Sequence, residues 1–162
     1  MDNGAFAGFH YDAFMRMLNK FPVNDACRFV VAPDVVADAA ATSVLFEKWE
    51  HILHSRSYPV AYVAQDGALV QDIPWDSFEC LFIGGSTEFK LSAFPFIREA
   101  KRRDKWVHVG RVNSMRRMRW AFDSGADSID GSSFSRFPAR WIPWALDYLA
   151  AINAHGKQYM LY

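Results

Sequence analysis

Four nearly continuous apolar runs, each closing on a polar residue or a glycine, are the strongest constraint this chain places on its own folding. They span Arg28 to Asp34, Tyr58 to Gln65, Cys80 to Gly84 and Trp106 to Gly110, and a shorter fifth segment, Asp127 to Asp130, closes the same way before Gly131. A strand with one face in water alternates apolar and polar residues, whereas an unbroken apolar run is what a strand covered on both faces requires. Between the runs lie stretches of helical period. Val44, Leu45, Trp49 and Ile52 are the expected inner face of a long helix from Ala37 to His54. Phe94, Ile97 and Ala100 mark another helix, and Met115, Met118 and Phe122 a third that starts at Asn113-Ser114 and stops at Gly125. Before the first run, Phe14, Leu18 and Phe21 predict a helix ended by Pro22; after the last, a Ser-rich loop leads to a helix with Pro143 near its start and Leu149 and Ile152 inside. The connection from Ala68 to Phe78, with Pro74, is expected to be a loop or a short helical turn.

Strand and helix in strict alternation predict an α/β fold with a parallel sheet and helical crossovers. At 162 residues and 51% apolar content the chain suffices for one packed domain, assigned to 1–155, with 156–162 as a tail. Its 14 Phe, 6 Trp and 6 Tyr argue against disorder, and a formal charge of zero supplies no global field to draw it to nucleic acid or to an anionic membrane. No apolar run approaches the length of a membrane span and no basic-then-apolar leader is present, so the expectation is a soluble cytoplasmic protein with no membrane partner. Cys27 and Cys80 stand apart without a nearby Cys or His pair, so neither a metal nor any other cofactor is expected, and both read as buried thiols. There is no Gly-x-Gly-x-x-Gly and no Gly-Lys-Ser/Thr loop, which leaves a dinucleotide fold and a P-loop unsupported.

The ends of the runs are more specific than the runs themselves. Asp2-Asn3-Gly4, Asp34, Gln65, Gly84-Gly85, Gly110-Arg111 and Asp130-Gly131 all fall at carboxyl-terminal strand ends or the equivalent loop. In a parallel barrel those ends share one rim, where ligands bind. Each residue alone has a plainer explanation: Asp34 as a helix cap after Pro33, Gln65 as a strand-end polar group, Asp130 as the opening of a turn, Phe6 and Val109 as core, Asp2 as a frayed terminus. Together they match the needs of a guanine-like base. One carboxylate, Asp34, can accept from the two adjacent donors of its pairing edge, the Gln65 amide and the Gly85 N–H can donate to its carbonyl, and Phe6 and Val109 can press on its faces. Asp2 and Asp130 then remain for chemistry at a sugar carbon, one as nucleophile and one moving a proton on and off the exchanging base.

In this order and spacing the motifs resemble those of the tRNA-guanine transglycosylase superfamily, and most closely its small viral branch that is similar to DNA 7-deazaguanine transglycosylases. The likeness runs from Asp2 to about Arg136. Asp2 to Phe6 is similar to the family's Asp-Ser-Gly-Gly-Tyr loop, Val31 to Asp34 to the strand that reads the purine edge, Val63 to Gly67 to its Gln-Gly strand and Phe82 to Gly85 to its Gly-Gly strand. His108 to Val112 and Ser128 to Gly131 correspond to segments that supply a stacking residue and the nucleophilic Asp. The resemblance implies a TIM-barrel-like (βα) fold lacking its first strands, a partial barrel whose open edges favour a homodimer. It implies replacement of guanine in a polynucleotide by a free 7-deazaguanine base, with Asp130 and Asp2 catalytic and with Phe6, Asp34, Gln65, Gly84, Gly85, Val109 and Gly110 binding substrate. The family's Cys/His zinc site and tRNA-gripping insertions are missing, which favours DNA over tRNA. Lys90, Arg111, Arg116, Arg136 and Arg140, in loops on the catalytic side, are the expected phosphate contacts, whereas Lys101 to Lys105 lies at the opposite rim as a solvated turn. The rival readings are a non-catalytic deazaguanine or nucleotide binder built on the same barrel, and a lyase or hydrolase with a metal at Asp34 and Asp130.

Overall fold

The computed structural model describes residues 4 and 8–154. Five strands form one parallel sheet in the order β1 (Val30–Val31), β2 (Val60–Ala64), β3 (Cys80–Ile83), β4 (Trp106–Val109) and β5 (Ser128–Ile129). Neighbours in space are neighbours in sequence at every step, so the sheet never reverses as a doubly wound sheet does; it curls one way into a half-barrel flanked by helices, the partial (βα) barrel expected. Around it run α1 (Tyr11–Lys20), α2 (Ala39–His54), α3 (Thr87–Ser92), α4 (Phe94–Arg102), α5 (Met115–Asp123), α6 (Ser132–Arg136) and α7 (Pro138–Ala154). No helix among the described residues is long and apolar enough to cross a membrane.

Because alternate strand residues face opposite ways, each strand feeds two cores. The convex face carries Val30, Val60, Tyr62, Leu81, Ile83, Val107 and Val109, packed under the helices with Phe46, Ile97 and Met118. The concave face carries Val31, Ala61, Val63 and Cys80, edged by Phe29, Phe82 and Trp106. Pairing sets these inward residues in rows. Val31, Ala61, Cys80 and Trp106 align across β1 to β4, and Val63, Phe82, His108 and Ser128 align across β2 to β5. One step further, the ladder bonds of Gly84, Gly110 and Asp130 carry Gln65, Gly84, Gly110 and Asp130 into a third row. Polarity rises from row to row towards the carboxyl ends, so the concavity has an apolar floor and a polar rim.

Local chemistry accounts for the helix boundaries. Asp38, Ser86 and Ser114 cap α2, α3 and α5, each accepting from a backbone N–H in the first turn, and each worth about 1 kcal/mol. The face that α2 buries differs from expectation: Thr42, Phe46, Trp49 and Leu53 go in, while Val44 and Ile52 are exposed. The cause is Thr42, a polar residue made fit for the core by exchanging hydrogen bonds with the Val35 N–H and carbonyl. Phe21 is likewise exposed, past the end of α1, and the expected single helix behind β3 is two, α3 and α4. The Ser-rich stretch after Gly131 forms α6 instead of a loop, and the 68–78 connection contains two short 3-10 turns. Cys80 is buried on the concave face and Cys27 is half-buried; both are free thiols. At the amino-terminal rim, Lys101 grips Asp127 at 2.7 and 2.8 Å and Lys105 donates to the Phe78 carbonyl, so this segment anchors strands more than it is solvated.

Candidate functional site

A hollow of about 390 Å3 opens at the carboxyl ends of the strands. Phe29, Val31, Val63 and Phe82 form its apolar base, and Asp34, Gln65, Lys90, His108, Arg111 and Asp130 its polar wall. Gly84, Gly85 and Gly110 supply bare backbone between them. Of the residues expected at the site, Asp34, Gln65, Gly84, Gly85, Gly110, Arg111, Lys90 and Asp130 are therefore brought together. Asp2 and Phe6 lie outside the described residues.

At the β1–β2 end, Asp34 and Gln65 form a buried pair, 8% and 2% exposed, in which the Gln65 Nε2 donates to the Asp34 carboxylate at 2.6 Å. The Gln65 Oε1 accepts from the Ala37 N–H at 3.0 Å, so two partners fix the amide with its NH2 group towards Asp34. Ala37 holds a φ of 62°, a left-handed conformation unfavourable to any residue with a Cβ by about 1 kcal/mol or more. Asp34 does not cap the following helix; Asp38 does. Next to this pair, Asp66 accepts from the Ser86 N–H at 2.7 Å and from its hydroxyl, tying the β2 loop to the β3 loop. Burial acts to raise the Asp66 pKa, but these hydrogen bonds outweigh it and hold the carboxyl below the ordinary value.

At the β4–β5 end, Asp130 is gripped on both oxygens. Its Oδ2 meets the His108 Nε2 at 3.0 Å and its Oδ1 accepts the Arg111 N–H at 2.7 Å, while its own carbonyl accepts from the Val112 N–H. Burial pushes its pKa up, yet the His108 and Arg111 hydrogen bonds and the nearby Lys90 charge bring it below the ordinary carboxylate value, so Asp130 is ionised at neutral pH. Its side chain nonetheless remains 51% exposed, open to the hollow. Arg111, at a φ of 55°, is a second left-handed residue whose N–H serves a site side chain, the Asp130 carboxylate, as the Ala37 N–H serves the Gln65 amide oxygen.

His108 was not among the expected site residues. It is 7% exposed, its ring centroid lies 4.7 Å from that of Phe82, and its Nδ1 meets the Ser128 Oγ at 2.8 Å. The partners fix the tautomer of the neutral ring. The Trp106 Nε1 can only donate, and it donates to the Ser128 Oγ at 2.8 Å, which leaves the Ser128 hydroxyl proton for His108 Nδ1 and the Nε2–H for Asp130. Val109, expected to stack on a base, points the other way. It is buried in the convex core under the helices, because the alternation that turns His108 and Gly110 inward turns Val109 out. Lys90 is also not a surface contact but a buried wall residue. Arg116, Arg136 and Arg140 are exposed on α5, α6 and α7 and do not line the hollow.

The glycines of the rim are sterically required. A Cβ on Gly84 would stand 2.7 Å from Val63 Cγ1 and 2.8 Å from Gln65 Nε2, and one on Gly110 would stand 2.5 Å from Phe82 Cε1. Among the described residues no group of three or more His, Cys, Asp or Glu is placed to hold a metal ion. No family model, curated protein or solved structure matches the chain.

Proposed function

We propose that the chain is a base-exchange transglycosylase of the tRNA-guanine transglycosylase type, replacing guanine in a polynucleotide, DNA in preference to tRNA, with a free 7-deazaguanine. The observation that carries this reading is the placement of an ionised, solvent-facing Asp130 in the same hollow as the buried Asp34–Gln65 pair. The pair offers a carboxylate acceptor beside an amide, which suits the pairing edge of a guanine-like base. An ionised carboxylate whose two oxygens are oriented by His108 and Arg111 suits a nucleophile for the anomeric carbon.

In the first displacement an Asp130 oxygen bonds to the sugar C1′ as the C1′–N9 bond breaks, and guanine leaves with that electron pair and takes up a proton. In the second, the N9 of the 7-deazaguanine gives up its proton, bonds to C1′ and releases Asp130, so configuration is retained and protons balance. The resemblance assigns the proton transfers to Asp2. His108 is a positioning residue: its Nε2–H holds Asp130 in the attacking orientation and offsets charge as the carboxylate is restored. Phe82, tilted against the His108 ring and lining the hollow, takes the place expected of Val109 at the face of the base.

The test is incorporation of radiolabelled guanine or 7-deazaguanine into DNA and, separately, into tRNA. Label should enter DNA with the unaltered protein and not with Asp130→Asn. Absence of incorporation into either polymer, together with base binding that survives Asp130→Asn, would replace this reading with that of a non-catalytic binder.

A further inference from the structure

Gly85 carries a backbone donor that the protein does not use. Gly84 and Gly85 are both buried and both line the hollow, yet the Gly85 N–H has no acceptor among the described residues. A buried N–H without a partner is uncommon and calls for an acceptor from outside the chain.

The peptide groups on either side are bonded. The Gly84 N–H donates to the Ala64 carbonyl at 2.9 Å, and the Ser86 N–H donates to Asp66 at 2.7 Å. The Gly85 carbonyl accepts two charged donors, the Arg111 Nη2 at 2.7 Å and the Lys90 Nζ at 3.2 Å. Charge-assisted bonds of this kind hold a carbonyl more firmly than the neutral bonds of an ordinary turn. The hold matters here because Gly85, at a φ of 71°, has the widest backbone freedom of any residue type, and among the described residues no hydrogen bond restrains the peptide that joins it to Gly84. Arg111 also ties this corner to the proposed nucleophile: its own N–H holds the Asp130 Oδ1 at 2.7 Å while its guanidinium holds Gly85. One residue thus sets an unused donor beyond β3 against a carboxylate beyond β5.

We infer that Lys90 and Arg111 are positioning residues that hold Gly85 so that its N–H meets the carbonyl oxygen of the bound base, and thereby set the preference of the hollow for a purine with a strong acceptor at that position. The identity of the base rests on the transglycosylase reading; the hold on Gly85 does not. Neither side chain has to touch the base in this role.

Two measurements on the full chain test it, with Lys90→Met, Arg111→Met and the double variant, each checked for folding by a melting curve. The first is nitrogen-15 relaxation of the Gly85 amide without ligand. Its order parameter should match rigid backbone, about 0.85, in the unaltered protein and fall in the variants, towards about 0.6 in the double one. The second is calorimetry with deoxyguanosine and 6-thiodeoxyguanosine, which differ only in the atom that would accept from Gly85. Sulfur is the weaker acceptor, so the oxygen form should bind about five-fold or more tightly. That ratio should fall in each single variant and to within about two-fold in the double variant, the loss falling on deoxyguanosine. If the double variant does not fold, the single variants carry both readouts. Equal affinity for the two nucleosides in the unaltered protein, a ratio that survives both single variants, equal losses for both nucleosides, or an order parameter unchanged in every folded variant overturns the inference. Loss of order at Gly85 with no binding of either nucleoside keeps the positioning role and rejects the base-exchange reading. Guanine exchange with an unchanged ratio does the reverse.

Discussion

Gly110→Ala is the sharpest probe of how the hollow is built. The new Cβ would lie 2.5 Å from Phe82 Cε1 and 2.6 Å from Cζ, against about 3.4 to 4 Å for an ordinary contact, so the ring must retreat by roughly 1 Å or rotate. Inserting one methyl into a packed site in this way costs about 1 to 3 kcal/mol. Phe82 is only half-buried and faces the hollow, so it can yield, and the chain should still fold. It yields into the space proposed for a base and off its contact with His108, 4.7 Å between centroids. Ligand affinity should therefore fall further than stability does. The magnitude is isolated by a double-mutant cycle in urea unfolding. Phe82→Leu removes the two clashing ring atoms, so Gly110→Ala should cost about 1 to 3 kcal/mol with Phe82 present and close to nothing in the Phe82→Leu background. Equal cost in both backgrounds would show that the glycine is needed for some other reason and that the steric argument is wrong.

Three further outcomes follow from the same geometry. Ser128→Ala should strip both Trp106 Nε1 and His108 Nδ1 of their shared partner, at about 1 to 3 kcal/mol, and release the His108 tautomer, which nitrogen-15 NMR of the imidazole would report; an unchanged tautomer would contradict the relay. Asp66 and Asp130 both have folded pKa values below their unfolded ones, so the stability they contribute is full above the unfolded Asp value near about 4 and is lost as pH falls through the folded value. Acid titration of the melting temperature should show this loss, and it should be smaller in Asp66→Asn. Lys90 faces Arg111 from the β4 loop, Arg117 from α5, Asp130 from β5 and Asp66 from the β2 loop, and its pKa is lowered to about 8. Between pH 8 and its unfolded value of about 10.4 the unfolded chain binds the extra proton, so Lys90 should make stability rise with pH across that window. Lys90→Met should abolish that slope and melt no lower than the unaltered protein at pH 7; persistence of the slope would assign it elsewhere.

The parts of this structure that a reader of the sequence could recover are those set by period. Unbroken apolar runs separated by helical stretches require a parallel sheet, and the polar residue at the end of each run falls on the rim by chain direction alone. Asp34, Gln65, Gly84, Gly110 and Asp130 were legible for that reason. What period does not carry is the partner of a side chain. His108 looked like one more strand residue because its partners, Ser128 and Asp130, come 20 and 22 residues later and meet it only through the parallel register of β4 and β5. A signal was nonetheless present: if Gly110 faces the hollow, its neighbour Val109 cannot, and His108 must. Thr42 hid the buried face of α2 because its fitness for the core depends on a loop backbone. Lys90 was placed on the catalytic side by its loop, but its burial carried no signal, since burial of a lysine is decided by where α3 turns after its Ser86 cap and not by composition.

The proposed base exchange depends on a covalent bond between Asp130 and a sugar in the hollow. Mass spectrometry of peptides from protein quenched after incubation with a guanine-containing oligonucleotide tests it directly, with Asp130→Asn alongside. Base exchange through Asp130 should leave a nucleotide adduct on the peptide carrying Asp130, absent from the variant and removed by added 7-deazaguanine. Labelled base entering the polymer while that peptide stays unmodified, or an adduct that persists in Asp130→Asn, would contradict it.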